Sequence, residues 1–96
     1  MHTDLNNEAA ALSLQLKPAE GYLECEKVVI HHIKKYLVNG NISPDTEPRL
    51  KKLLAYLQEM IEINKDTNDC INYRYAAGFL KTILETPYWH SWIKNI

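Results

Sequence analysis

The chain has 96 residues, of which 46% are hydrophobic and 24% charged, and its formal net charge is −1. This length indicates one domain, and this composition excludes disorder over most of the chain. The near-zero charge gives no overall attraction to nucleic acid or to a membrane. No apolar run approaches the ~20 residues of a membrane span, and no signal-peptide pattern opens the chain, so we expect a cytoplasmic protein.

Residues 1–17 have the least regular pattern, and we interpret them as an arm or short helix before a single helical domain at 18–96. Glu8 to Leu12 are good helix formers, yet Leu12, Leu14 and Leu16 alternate with polar residues as in a strand. The sequence therefore predicts either a short helix or an extended arm. Its leucines would dock on this domain or on a neighbouring subunit.

Pro18 predicts the start of the first main helix, near 18–38, because proline suits the first helical position. Apolar residues at helical spacing predict its buried face. They are Tyr22, Val29, Ile33 and Tyr36, with Leu23, Ile30 and Leu37 beside them. Asn39-Gly40 predicts the end of this helix, since glycine accepts the left-handed conformation common at helix ends.

Asp45 or Thr46 is predicted to cap a second helix, near 47–64, whose apolar stripe is wide enough for more than one neighbour. The stripe consists of Leu50, Leu53, Leu54, Leu57 and Ile61, widened by Tyr56, Met60 and Ile63. The six polar residues from Asn64 to Asp69 then favour a turn. Because they include neither glycine nor proline, a continuous rod that other copies must cover is the alternative.

Asp66 or Thr67 is predicted to cap a third helix, near 67–85, and Thr86-Pro87 to end it before a short C-terminal helix. Its apolar face is Tyr73, Ala76, Ala77, Leu80, Ile83 and Leu84. The small residues from Ala76 to Gly78 let another backbone approach, within the hairpin or at a subunit contact. The predicted fold class is all-α, a small antiparallel bundle built on a helical hairpin.

No residue pattern indicates catalysis, a cofactor or a metal. His31 and His32 point about 100° apart on a helix, and no metal-ligand spacing occurs. Cys25 and Cys70 are expected to be reduced, buried thiols. Nucleophile motifs and glycine-rich phosphate loops are missing from the sequence. We therefore predict a protein that is not an enzyme.

Aromatic residues concentrate in the last third of the chain, and aromatic residues are enriched in protein interfaces. The predicted partner interface is Tyr75, Gly78, Phe79, Tyr88, Trp89, Trp92 and Ile93. The alternative is that the two tryptophans close the open end of the bundle.

Five basic residues converge on one end of the molecule if the helices beside the 39–46 loop are antiparallel. This basic end consists of Lys34, Lys35, Arg49, Lys51 and Lys52. The opposite end would carry Glu59, Glu62, Asp66 and Asp69. The basic end could contact phosphates or orient a partner, or it could be ordinary solvated surface.

Residues 72–87 read NYRYAAGFLKTILETP, an arginine, a glycine, a leucine-rich turn and a proline after a polar turn. In Arg74, Gly78, Leu80, Ile83, Leu84 and Pro87 this segment resembles the second helix of small α-helical hairpin proteins of tailed bacteriophages. The resemblance implies a viral, non-enzymatic, oligomer-forming protein of the host cytoplasm, and it implies no site residues.

The sequence therefore predicts a small protein–protein interaction protein, homo-oligomeric, that serves as an assembly component or as an inhibitor or immunity-type binder of another protein. The alternative is a nucleic-acid-associated protein that uses the basic end.

Overall fold

The computed structural model describes residues 3–94, with side chains from 7 to 93. Five helices follow in order: α1 Thr3–Leu16, α2 Tyr22–Lys35, α3 Thr46–Ile63, α4 Asp69–Glu85 and α5 Trp89–Lys94. The described part of the chain contains no β-strand. The predicted all-α bundle with a short C-terminal helix is confirmed.

Helix α4 is the centre of the bundle because it packs against each of the other four helices. Its most extensive contact is the hairpin with α3, followed by its contact with α2. Its buried face carries Tyr73, Ala76, Ala77, Leu80 and Ile83, as the helical spacing predicts. Helices α2 and α3, although consecutive in the chain, have little helix-to-helix contact.

The polar segment after α3 is a turn, so the prediction of a hairpin is confirmed and the continuous rod is excluded. Asn64 Nδ2 donates to the carbonyl of Met60 at 2.9 Å, and Thr67 Oγ1 donates to the carbonyl of Asn64 at 2.9 Å. These side chains satisfy backbone groups that a continuing helix would have bonded. The N-cap of α4 is Asn68, and neither Asp66 nor Thr67, which we predicted, holds that position.

The predicted start and end of the first main helix are wrong. Helix α2 begins at Tyr22 because Gly21, its N-cap, has a φ of 90°, a left-handed conformation that no helix continues through. It ends at Lys35, and Asn39-Gly40 instead forms a tight two-residue turn. Both residues have positive φ, and Val38 and Asn41 exchange backbone hydrogen bonds of 2.8 and 2.9 Å.

A buried threonine joins the end of α2 to the start of α3. Thr46 Oγ1 donates to the carbonyl of Tyr36 at 2.9 Å and accepts from the Ser43 amide at 2.9 Å. Asp45 occupies the N-cap position as predicted, yet its side chain makes no capping hydrogen bond. Pro48 lies in the first turn of α3, where its missing N–H costs nothing.

The N-terminal arm is a helix, α1, and it docks on this same bundle. Ala9, Leu12 and Leu16 are buried, whereas Leu14 is 69% exposed. Asn72 Nδ2 of α4 donates to the carbonyls of Leu16 at 2.7 Å and Ala19 at 3.0 Å, which satisfies the end of α1. Contacts along the helices show that α1 and α3 run opposite to α2 and α4.

Candidate functional site

The outer face of α4 carries apolar side chains that the bundle does not cover. Ile71 is 53% exposed, Tyr75 is 37% exposed, and Gly78 is also exposed. They lie four and three residues apart, so they share one side of the helix, opposite to the buried Tyr73 and Leu80. An apolar stripe on the outside of the central helix is the first feature of a candidate binding surface.

Two edge-on aromatic pairs extend this face on either side. The Tyr22 and Tyr75 ring centroids are 5.4 Å apart at 90°, and those of Phe79 and Trp92 are 5.9 Å apart at 72°. Tyr75 and Phe79 are four residues apart on α4, so the four rings form one row, which we call the aromatic row. Burial raises the pKa of the Tyr22 hydroxyl, and its hydrogen bond with the Glu26 carboxylate raises it further.

Helix α5 contributes one side to the core and the other to this surface. Trp89 and Ile93 are buried, at 6% and 1% exposure, whereas Trp92 is 36% exposed. An open groove of about 160 Å³ lies between α5 and the end of α4. Its lining is mainly apolar and consists of Phe79, Thr82, Ile83, Thr86, Trp89 and Trp92.

The structure thus divides the predicted partner interface into three groups. Tyr75, Gly78, Phe79 and Trp92 lie together on the outer face, at or beside the aromatic row. Trp89 and Ile93 belong to the hydrophobic core, which agrees with the alternative that part of the tail closes the bundle. Tyr88 is 77% exposed in the connection between α4 and α5.

Sequence reasoning missed two members of this surface. Tyr22 was assigned to the buried line of the first helix, but Gly21 starts that helix late and Tyr22 is 42% exposed. Ile71 was left out, although it lies two residues from the buried Tyr73 and therefore on the far side of α4. An isoleucine out of phase with the buried face was the signal that could have identified it.

The basic end does come together, because the Thr46 bond joins the helices that carry it. Two of its five cations are already paired: Arg49 with Glu8 at 3.7 Å and Lys51 with Glu47 at 2.9 Å. Lys34, Lys35 and Lys52 are exposed. A shallow cavity of about 190 Å³ nearby is lined by Lys35 and Arg49 and also by Asp45, whose carboxylate offsets part of their positive charge.

A buried polar group lies beneath this end. The Arg49 guanidinium is 5.7 Å from the Tyr36 ring centre, and the Tyr36 hydroxyl is buried beside the Glu8 carboxylate. Burial raises the pKa of Tyr36, and the Glu8 charge raises it further. The phenol therefore stays protonated and neutral, and the group ties α1, α2 and α3 together rather than presenting a reactive hydroxyl.

His32 is the most perturbed imidazole. It is fully buried, its Nε2 donates to Gln15 Oε1 at 3.0 Å, and its Nδ1 has no partner among the described residues. Burial, then the charges of Lys35 and His31, lower its pKa to about 4, so the ring is neutral at physiological pH. It therefore holds α1 on α2 as a neutral hydrogen-bond donor.

The bundle contains two buried thiols. Cys25 and Cys70 are free and buried, and burial raises the pKa of Cys25. Arg74 Nε donates to Cys70 Sγ at 3.3 Å. Among the described residues, no group of three or more histidine, cysteine, aspartate or glutamate side chains could hold a metal ion.

Comparison of the chain with protein-family models, with curated proteins and with solved structures finds no match. The resemblance of residues 72–87 to phage hairpin proteins therefore stays a prediction. Within residues 3–94, no helix has both the length and the apolar character needed to cross a membrane.

Proposed function

We propose that this protein is a non-enzymatic protein-binding module that uses the outer face of α4, and that it is homo-oligomeric. The observation that carries the proposal is the aromatic row together with Ile71 and Gly78 (Tyr22, Tyr75, Phe79, Trp92, Ile71, Gly78). We call these six residues the outer-face surface. Aromatic side chains offer large contact areas and lose little rotational freedom when a partner covers them.

Two features support binding over a purely structural role. Tyr75 and Phe79, at the middle of the aromatic row, lie on the helix that contacts every other helix, so the centre of the surface is held on the most constrained element of the fold. Its rings are also already paired edge to face, with centroids 5.4 and 5.9 Å apart, so little ordering remains to be done on binding.

The basic end supports a nucleic-acid partner less well. Two of its cations are paired with the carboxylates of Glu8 and Glu47 within the chain, and Asp45 lies beside the rest. Binding to nucleic acid depends on cations that are free to replace counterions. We therefore keep this as the alternative and give it no separate site.

The test is light scattering over a range of protein concentrations, combined with photo-cross-linking in the source cell. A photo-reactive phenylalanine analogue replaces Tyr75 in one variant and Gln58, exposed on α3, in the control. We expect protein cross-links from position 75, to the chain itself or to another protein, and a much lower yield from position 58. Equal yields from both positions, or none from either, would contradict the proposal.

A further inference from the structure

Gly78 is the point of closest access on the outer face of α4. It lies at the middle of the helix, it is exposed, and a Cβ placed there would meet nothing within 4 Å. Glycine inside a helix costs about 1 kcal/mol relative to alanine. Packing within the chain therefore gives no reason for glycine at this position, whereas a second helix crossing here could approach closely.

Charge divides the molecule along the direction of α4. The end that holds the α3–α4 turn and the start of α2 is rich in acids, and they outnumber the basic residues around them. They include Glu24, Glu26, Glu59, Glu62, Asp66 and Asp69. The opposite end is the basic end. Two copies whose α4 helices pack antiparallel are therefore complementary in charge, whereas two parallel copies are not.

We propose that the partner of the outer-face surface is a second copy of this chain, packed antiparallel along α4 with a twofold axis beside Gly78. The inference rests on the proposed function and specifies its partner. The twofold axis sets each Gly78 against the other and the acidic end of one copy against the basic end of the other.

The antiparallel arrangement also matches single charges on α4. Residues equally far before and after Gly78 face each other, so Arg74, four residues before it, comes near Glu85 of the second copy. With a rise of ~1.5 Å per residue, these two positions differ by only about 4.5 Å along the axis, within reach of both side chains. A parallel pair would instead set Glu85 against Glu85 and Arg74 against Arg74.

The area available predicts a modest affinity. Tyr22, Tyr75 and Trp92 are each exposed by 36–42%. With about 150–250 Å² per fully buried aromatic side chain, the three rings offer on the order of 200–300 Å² per copy. The two copies together then bury on the order of 400–600 Å² from these rings, so the residues around them must contribute about as much again to reach the ~1,000 Å² lower limit of specific interfaces. The dimer should therefore dissociate on dilution.

The first experiment is sedimentation of the full chain and of two matched variants over a range of concentrations. Gly78→Gln adds a side chain where the free chain has open space, so the monomer stays folded while the close approach is blocked. Ala55→Gln adds the same side chain at an exposed position of α3. We expect the dissociation constant to rise at least about tenfold for Gly78→Gln, and to change little for Ala55→Gln.

The second experiment tests the direction of packing by exchanging charges. Arg74→Glu alone should weaken the dimer, since it places two acids against each other, and Glu85→Arg alone should weaken it likewise. The double variant should recover most of the affinity. Circular dichroism and thermal unfolding check each monomer.

The outcomes separate this inference from the proposed function. A strict monomer, a dimer indifferent to Gly78→Gln, or a double variant without recovery overturns the antiparallel dimer. If position 75 still cross-links to another protein in those cases, the protein-binding function stands. If the antiparallel dimer is absent and position 75 also gives no protein cross-links, the proposed protein-binding function is overturned as well.

Discussion

The two terminal helices are attached to the bundle in different ways. Helix α1 reaches three other helices through side chains: Ser13 meets the Tyr73 hydroxyl on α4, Gln15 meets His32 on α2, and Glu8 meets Arg49 on α3. Helix α5 packs on α4 through the buried Trp89 and Ile93 and follows it after three residues.

This difference follows from distance along the chain. Ser13 and Tyr73 are 60 residues apart in the chain, so α1 docks on a helix that is distant in sequence. Directional hydrogen bonds fix the position of α1 along that helix. Helix α5 is tethered beside its docking site, and loop closure costs it little. We therefore expect damage to the α1 contacts to lower the stability of the whole bundle, and damage to α5 to open that helix alone.

The largest expected effect comes from truncating a side chain of α1 that is buried in the core. Leu12 is fully buried, so Leu12→Ala should lower the free energy of unfolding by about 3 kcal/mol through lost contacts and a cavity. Leu14, two residues on and 69% exposed, is the matched control, and Leu14→Ala should change stability by less than about 0.5 kcal/mol. Urea denaturation measures both. Similar losses in the two variants would mean that α1 is not docked as described.

The same contrast marks what could be predicted from the sequence. The spacing of Leu50, Leu53 and Leu57 and of Tyr73, Ala76 and Leu80 repeats every three or four residues, so the α3–α4 hairpin follows from local pattern. The polar contacts of α1 could not be predicted, because each joins a side chain to one distant in the chain. Such a pair leaves no pattern in the spacing of residues close together in the chain.

The outer-face surface was predictable in part for a related reason. Tyr75, Phe79 and Trp92 were identified because aromatic residues concentrate there. We assigned Tyr22 to the core because its spacing fits the buried face of the first main helix. The backbone conformation of Gly21 instead makes Tyr22 the first residue of α2. Helical spacing indicates which residues share a face of a helix. It does not indicate whether a neighbouring helix covers the first turn of that face.

A second test of α1 uses pH. The pKa of His32 lies near 4 in the fold and near 6.5 in the unfolded chain, so the unfolded chain takes up the proton first as pH falls. This contribution to stability is complete above about pH 6.5 and is lost as pH falls toward 4. The loss amounts to at most about 3 kcal/mol for this shift.

Stability measured by denaturation from pH 7 to 4 in two variants isolates this effect. His32→Gln should flatten the decline relative to the natural chain, whereas His31→Gln, which removes only the smallest of the three causes of the His32 pKa shift, should change the decline much less. Two parallel curves for the natural chain and His32→Gln would show that the buried imidazole does not carry the pH dependence.

For α5 we expect a smaller and local effect. Ile93 is 1% exposed, so Ile93→Ala should cost about 2 kcal/mol in the docking of α5. Hydrogen exchange should speed up in residues 89–94 while the amides of α4 keep their protection, and Trp89 fluorescence should shift to the red. Tyr88→Ala, at a residue 77% exposed, serves as the control. Equal acceleration across α4 would show that α5 is as integral to the bundle as α1.

The smallest effect isolates one polar contact of α1. Ser13→Ala removes the hydrogen bond to the buried Tyr73 hydroxyl, worth about 1 kcal/mol, while alanine gains about 0.5 kcal/mol in helix propensity. The single variant therefore understates the bond. Measured in a Tyr73→Phe background, the same substitution should instead stabilise the protein, because only the propensity gain remains. The difference between the two backgrounds gives the coupling energy, which we expect to be about 1 kcal/mol. A coupling near zero would mean that this hydrogen bond does not help to position α1, and that the other contacts of α1 do so without it.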